Sequence, residues 1–187
     1  YGLDATTGRL LWKVQTDAPV LGAVTLHKGV AYIGGSDHCF RAIDLHSGQA
    51  VWTYEGVAGY IETKPLVYDG LVIFGAWDKN LYALDLKTGR EVWKWHDGKP
   101  GKFYSAAAVW PVGAHGKVFV ADPERVLSAI DLRTGTTVWR TKESMVRETI
   151  GLSEDNRRIY SKTMNDSVVC YSATADRPQK LWASNVG

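Results

Sequence analysis

The 187 residues carry 22 Lys and Arg against 20 Asp and Glu, a formal charge of +2, and 45% of them are hydrophobic. With basic residues spread along the chain there is no polybasic face for nucleic acid or an anionic membrane surface, and the charged fraction of 22% is that of a folded protein. No apolar run approaches the roughly 20 residues that a membrane-spanning helix needs.

Residues 1–15 open on Leu3-Asp4, Gly8 and Trp12. The same frame returns as Ile43-Asp44, Gly48 and Trp52, as Leu84-Asp85, Gly89 and Trp93, and as Ile130-Asp131, Gly135 and Trp139. A worn fifth copy runs from Tyr171-Ser172 to Leu181-Trp182, with Ser in place of Asp and no Thr-Gly. Steps of 40, 41 and 46 residues between the Asp positions, then 41 to Ser172, define an internal repeat of the kind that builds solenoids, propellers or arrays.

Between the frames the period is that of strands. In the copy ending at Trp93 the runs Thr63 to Tyr68, Leu71 to Phe74, Leu81 to Leu84 and Glu91 to Trp95 are β-branched or aromatic. They are broken by Asp69-Gly70, by Trp77 to Asn80 and by Lys87-Thr88-Gly89. Gly29, Gly70 and Gly116 recur where a tight first hairpin needs positive φ, and Asp37, Asp78, Glu124 and Asn165 recur at the second hairpin. Gly34, Gly75 and Ala121 fall where a neighbouring sheet could come close.

Four antiparallel strands in about 41 residues cannot cover both their faces, and radial stacking as blades of a β-propeller solves that problem. The predicted fold is therefore all-β, with full blades at 19–54, 60–95, 104–140 and 146–183. Residues 1–15 read as the two outer strands of a preceding blade and 184–187 as the start of another, all within one segment spanning 1–187. Tyr1 already stands inside a repeat, as in a piece of a longer chain. In this scheme the Asp side chain accepts hydrogen bonds from turn amides, and the Trp of each outer strand is buried in the seam between blades. The worn turn at 173–179 should be looser than the others, and Trp95 and Trp110 should lie in blade core.

This frame, hydrophobic-Asp-x-x-Thr-Gly-x-x-x-Trp, resembles the pyrroloquinoline quinone (PQQ)-like propeller repeat, most clearly in Ala83 to Trp93 and Ala42 to Trp52. The resemblance covers nearly the whole chain and implies a ring of seven or eight blades. It is shared by periplasmic quinoprotein alcohol dehydrogenases and by non-catalytic relatives such as the outer-membrane assembly lipoprotein and propeller modules joined to phosphoesterase or kinase domains. An extracytoplasmic place, in the periplasm or at the surface of a bacterium, is implied with it. Missing blades, or another propeller segment, would be needed to close the ring.

A dehydrogenase of this kind would add an adjacent Cys pair beside the quinone, a Ca²⁺ held by Glu and Asn oxygens, an Asp base and a Trp under the ring. Cys39 and Cys170 are not adjacent, and Glu62, Glu148, Asn165 and Asp166 read better as channel or turn residues than as a ligand set. No cofactor is therefore expected, PQQ with calcium belonging to the alternative in which catalytic residues lie outside this segment. The five histidines fall mostly in turns, and no nucleophile, phosphate-loop or zinc motif is present.

What remains is a rim, where the loops leading into inner strands meet the second-hairpin turns. It would gather Tyr60, Glu62, Trp77, Asp78, Tyr104, Arg125, Arg147 and Glu148, aromatics mixed with both charge signs, suited to a protein or a polar small-molecule ligand. Trp77 is the sharpest candidate because it stands in a turn outside the repeated Trp slot. Packing over its own hairpin is the competing reading.

Overall fold

The computed structural model describes residues 1–98 and 110–187, and among these every regular element is a strand. β1 (Gly2–Leu3) and β2 (Leu10–Trp12) form an antiparallel ribbon. The first full sheet holds β3 (Thr25–His27), β4 (Val30–Gly34), β5 (Phe40–Asp44) and β6 (Ala50–Tyr54). The second holds β7 (Leu66–Tyr68), β8 (Leu71–Gly75), β9 (Leu81–Asp85) and β10 (Glu91–Trp95). In the third are β11 (Val112–Ala114), β12 (Lys117–Ala121), β13 (Leu127–Asp131) and β14 (Thr137–Thr141), and in the fourth β15 (Val146–Leu152), β16 (Arg158–Thr163), β17 (Ser167–Ser172) and β18 (Lys180–Asn185). Each sheet pairs its strands in chain order, and the first strands of successive sheets touch one another, so they form the inner wall. The propeller of four full blades and a partial one that the repeat predicts is the architecture seen.

Turn chemistry sets the register. The first hairpins of three sheets turn through Lys28-Gly29, Asp69-Gly70 and His115-Gly116, with both residues of each pair at positive φ. That is the two-residue turn whose twist matches paired strands. At the outer hairpins Gly8, Gly48, Gly89 and Gly135 have φ between 69° and 71°. In each, one oxygen of Asp4, Asp44, Asp85 or Asp131 accepts the amide and the hydroxyl of the Thr or Ser three residues on. Those bonds hold the four carboxyls below the ordinary range, the hydroxyl contributing most at Asp4 and Asp85 and the amide most at Asp44 and Asp131. The worn copy is not left open: Ser172 Oγ accepts the amides of Thr174 and Ala175, both at 3.3 Å, and Lys117 pairs with Asp176 at 2.7 Å. A neutral hydroxyl replaces a charged cap, so the local bonds are longer while the turn is pinned to the blade before it.

The core lies between sheets, not within one. Leu71, Ile73, Leu81, Trp93 and Trp95 of the second full sheet pack on Val118, Val120, Ile130 and Leu132 of the third, and the other two seams are built alike. Central strands such as β8 and β12 are buried along their whole length because both faces are covered. The repeated Trp of one blade sits over the outer-turn Gly of the next. A Cβ added at Gly48, Gly89 or Gly135 would come within 2.5–2.7 Å of the ring of Trp12, Trp52 or Trp93. The indole N–H of Trp12, Trp52, Trp93 and Trp139 donates to the carbonyls of Leu45, Leu86, Leu132 and Ala175 at 2.8–3.3 Å.

Two indoles depart from the sequence reading. Trp182 occupies the fifth repeated slot but is 44% exposed, because no outer turn among the described residues lies beyond it. Trp110 is not blade core; it is exposed, with the Lys64 ammonium 5.9 Å from its ring centroid, while Trp95 is buried as expected. Between the ribbon and the first full sheet there is an open pocket of about 660 Å³ lined by Trp12, Val24, Leu26, Ile33, Ile43 and Leu45 among others.

Candidate rim site

The loop 57–62, between β6 and β7, lies across the second-hairpin turns of two adjacent blades. Ile61 anchors it. Its amide donates to the Gly35 carbonyl at 3.2 Å, and its side chain is fully buried against Gly34, where a Cβ would stand 2.1 Å from Ile61. The small residue at 34 therefore seats this loop, a use different from the sheet-to-sheet approach predicted for it.

On the other side the loop is tied to the turn after β8. The Trp77 amide donates to the Tyr60 carbonyl at 2.9 Å, and Asp78 Oδ2 accepts the Ala58 amide at 3.1 Å and the Tyr82 hydroxyl. Burial and the neighbouring Asp78 push the Tyr82 hydroxyl's pKa up, so it stays a donor to that carboxylate. Gly59 is required by proximity: a Cβ there would lie 2.4 Å from the Asp78 nitrogen. The Trp77 indole N–H donates to Glu62 Oε2 at 3.1 Å. Trp77 is thus fixed to the loop leading into its own blade instead of folding over its hairpin, and it keeps 37% of its surface exposed.

Tyr60, half exposed, meets the His38 ring near-perpendicularly, with 5.3 Å between centroids and 84° between planes. His38 is held at φ 65° in the preceding blade's turn, beside Asp37. Burial alone would raise the Asp37 carboxyl, but the Arg41 guanidinium, bonded to both its oxygens, holds it below the ordinary range. Together His38, Ala58, Gly59, Tyr60, Trp77 and Asp78 line a depression of about 220 Å³.

Tyr60, Glu62, Trp77 and Asp78 are thus brought together. Arg125, in the second-hairpin turn of the third full sheet, and Glu148, in β15 of the fourth, meet two seams further on, the guanidinium donating to Glu148 Oε1 at 2.5 Å. Arg147 is exposed and apart from the aromatic depression. Tyr104 lies outside the described residues. His38 is the member that sequence reasoning passed over as a turn histidine. Its one local signal is its place directly after the turn Asp37, where Lys79 and Arg125 in the next blades also take positive φ.

The chemistry available is contact chemistry, from two exposed aromatic faces with carboxylates beside them. The residues considered for calcium are engaged singly. Glu62 holds the Trp77 indole, Glu148 pairs with Arg125, and Asn165 accepts the Thr163 hydroxyl at 2.5 Å. No three His, Cys, Asp or Glu side chains converge among the described residues, so these groups do not fit a calcium-quinone site.

Four-stranded meanders radiating from a wall of inner strands, with an indole in each seam, define a β-propeller. The profile of a family described as outer membrane protein assembly factor BamB matches residues 1–96 and 122–183, and the chain belongs to this family of PQQ-like propeller repeats. Among curated proteins it is 28% identical over 71 residues to the outer membrane protein assembly factor BamB of Francisella salina, 38% of this chain and 13% of that one. It is 34% identical over 89 residues to the quinohemoprotein alcohol dehydrogenase ADH-IIG of Pseudomonas putida, 39% of this chain and 12% of that one. The matches span 11–15% of the length of the curated relatives. Among solved structures, BamB from Moraxella catarrhalis superposes with a TM-score of 0.69 at 16% identity, over 95% of this chain and 68% of that one. Quinohemoprotein alcohol dehydrogenase from Comamonas testosteroni gives 0.73 at 18% identity, over 90% of this chain and 35% of that one. At these identities the superpositions speak for the fold.

Proposed function

We propose that this chain is a non-catalytic recognition module of a larger extracytoplasmic protein, holding a protein segment or a polar ligand at the rim through Tyr60 and Trp77. The observation that carries this reading is the fixation of those two exposed rings. Trp77 is oriented by Glu62, and the Tyr60 loop is tied at Ile61 to one blade and at Ala58 and Tyr60 to the next. Rigid aromatic surface bordered by polar groups is the material of binding hot spots. Similarity to BamB, whose name describes an assembly factor, favours a protein as the occupant. The propeller itself is completed by further blades, and a module that regulates or targets an attached phosphoesterase or kinase domain would use the same rim.

Selection of binders from a peptide-display library tests this reading. Peptides retained by the chain should lose binding in Trp77→Ala and Tyr60→Ala and keep it in Trp182→Ala; selected peptides indifferent to both rim variants, or none selected, would sink it.

The fold likeness to quinohemoprotein alcohol dehydrogenases favours one other reading, a PQQ- and calcium-dependent enzyme whose catalytic residues lie elsewhere. With PQQ and Ca²⁺ added, the chain should give no stoichiometric quinone binding and no dye-linked alcohol oxidation. Tight binding of one quinone per chain would put the enzyme reading first.

A further inference from the structure

Cations of the chain itself lie over its aromatic rings at several places. The Arg140 guanidinium is 5.8 Å from the centroid of Trp95, the Lys94 ammonium 5.6 Å from that of Tyr82 and the Lys64 ammonium 5.9 Å from that of Trp110. Among the described residues no Lys or Arg stands so over Trp77 or Tyr60, although both rings are exposed and border one depression of about 220 Å³. The charge beside those two rings is acidic. Glu62 spends Oε2 on the Trp77 indole N–H, and its Oε1 accepts no hydrogen bond among the described residues. Asp78 takes the Ala58 amide and the Tyr82 hydroxyl on Oδ2 and the Asn80 amide on Oδ1, and it too has no salt bridge among the described residues. Asp37, by contrast, is already matched by Arg41, and Lys79 is not among the residues that line the depression. An indole whose N–H is held by a carboxylate is polarised towards its ring faces, so a cation over such a face is drawn by the ring and by the carboxylates at its edge together.

We propose that the rim depression takes the side chain of an arginine from a partner polypeptide, its guanidinium lying on the Trp77 ring with its N–H edge turned to Glu62 Oε1 and the Asp78 carboxylate. This rests on the reading of the rim as a recognition surface and names what that surface recognises. The occupant follows from charge complementarity: two carboxylates and two exposed rings converge where the chain supplies no cation. Arginine is favoured over lysine because a planar guanidinium can lie on a ring while its edge still donates to carboxylates, whereas an ammonium is a compact, strongly hydrated point charge. Tyr60, half exposed beside the site, offers apolar contact to the residues that flank the arginine.

NMR titration of the 187-residue chain with N-acetyl-arginine amide tests the proposal, with N-acetyl-citrulline amide as the neutral isostere. The arginine amide should shift the Trp77 indole N–H and the Ala58 and Tyr60 amides together, saturably, in the roughly millimolar range of a single side chain. The citrulline amide should bind at least about fivefold more weakly. Glu62→Gln keeps an acceptor for the indole and removes the charge, so it should weaken arginine binding about three- to fivefold and leave citrulline binding unchanged. Trp77→Ala should abolish the shifts at Ala58 and Tyr60, with the amide spectrum away from the rim reporting that the fold is kept. Equal affinities for the two amides, an unaltered arginine affinity in Glu62→Gln, or no saturable shift at Trp77 would overturn the proposal. The peptide selection separates it from the reading beneath it. Rim-dependent peptides that lack arginine sink the arginine assignment alone, whereas arginine-bearing peptides indifferent to Trp77→Ala and Tyr60→Ala sink both.

Discussion

Trp93 and Trp182 hold the same slot of the same repeat, nine and eleven residues after Leu84 and Tyr171 in the third strands of their sheets, and their surroundings differ in nearly every respect. Trp93 is 7% exposed, covers Gly135 and donates to the Leu132 carbonyl; Trp182 is 44% exposed, and its nearest aromatic is Tyr160 of its own sheet. The repeat therefore specifies a strand and a turn locally, whereas burial belongs to the pair of blades.

The largest test of that contrast is truncation of each ring. Trp93→Ala removes a buried indole and its hydrogen bond, and should lower unfolding stability by about 3–5 kcal/mol. Trp182→Ala, read in dilute solution, should cost no more than about 0.5 kcal/mol, as at an exposed site. Urea unfolding followed by circular dichroism measures both, and equal losses would mean that the outer indole matters within its own sheet and not across the seam.

The acceptor side gives a second, smaller contrast. Gly135 and Gly8 share a positive φ near 70°, but only Gly135 has a ring against it, 2.7 Å from where a Cβ would be. Gly8→Ala should carry the left-handed backbone cost alone, about 1–2 kcal/mol. Gly135→Ala should carry that and the displacement of Trp93, an overpacking cost of about 1–3 kcal/mol more. Similar midpoints for the two variants would show that the ring moves aside freely.

These contrasts mark how far the sequence could be read. Blade number, strand order and hairpin chemistry were legible because each is carried by residues close in the chain, such as Asp85 with Thr88 and Lys28 with Gly29. The position of Trp77 in a turn marked it as unusual by the same local logic. What it touches was not legible, since the Glu62 contact, the seating of Ile61 on Gly34 and the approach of His38 to Tyr60 all join loops of different blades. Trp110 and Trp182 were misjudged for the corresponding reason: an apolar side chain is buried only if something comes to cover it, and that depends on the neighbour's placement.

The mildest contrast lies between the charged and the worn outer turns. Asp131 is held below its ordinary value of 3.8 by the amide and hydroxyl of Thr134, and Asp85 likewise by Thr88, the hydroxyl leading there. A carboxyl whose folded pKa is depressed stabilises the fold fully above its unfolded value, and that contribution disappears as pH falls through the folded value. Ser172 has no charge to lose. Lowering the pH from about 5 to about 2 should therefore move the amide proton shifts of Thr88 and Thr134 with midpoints below 3.8, while those of Thr174 and Ala175 stay flat. If the Thr134 amide titrated at or above 3.8, its bond to Asp131 would favour the charged form no more than water does, and the Asp of the repeat would be a shape-former only. If the Thr174 amide moved alongside it, the contrast between a charged and a neutral cap would fail.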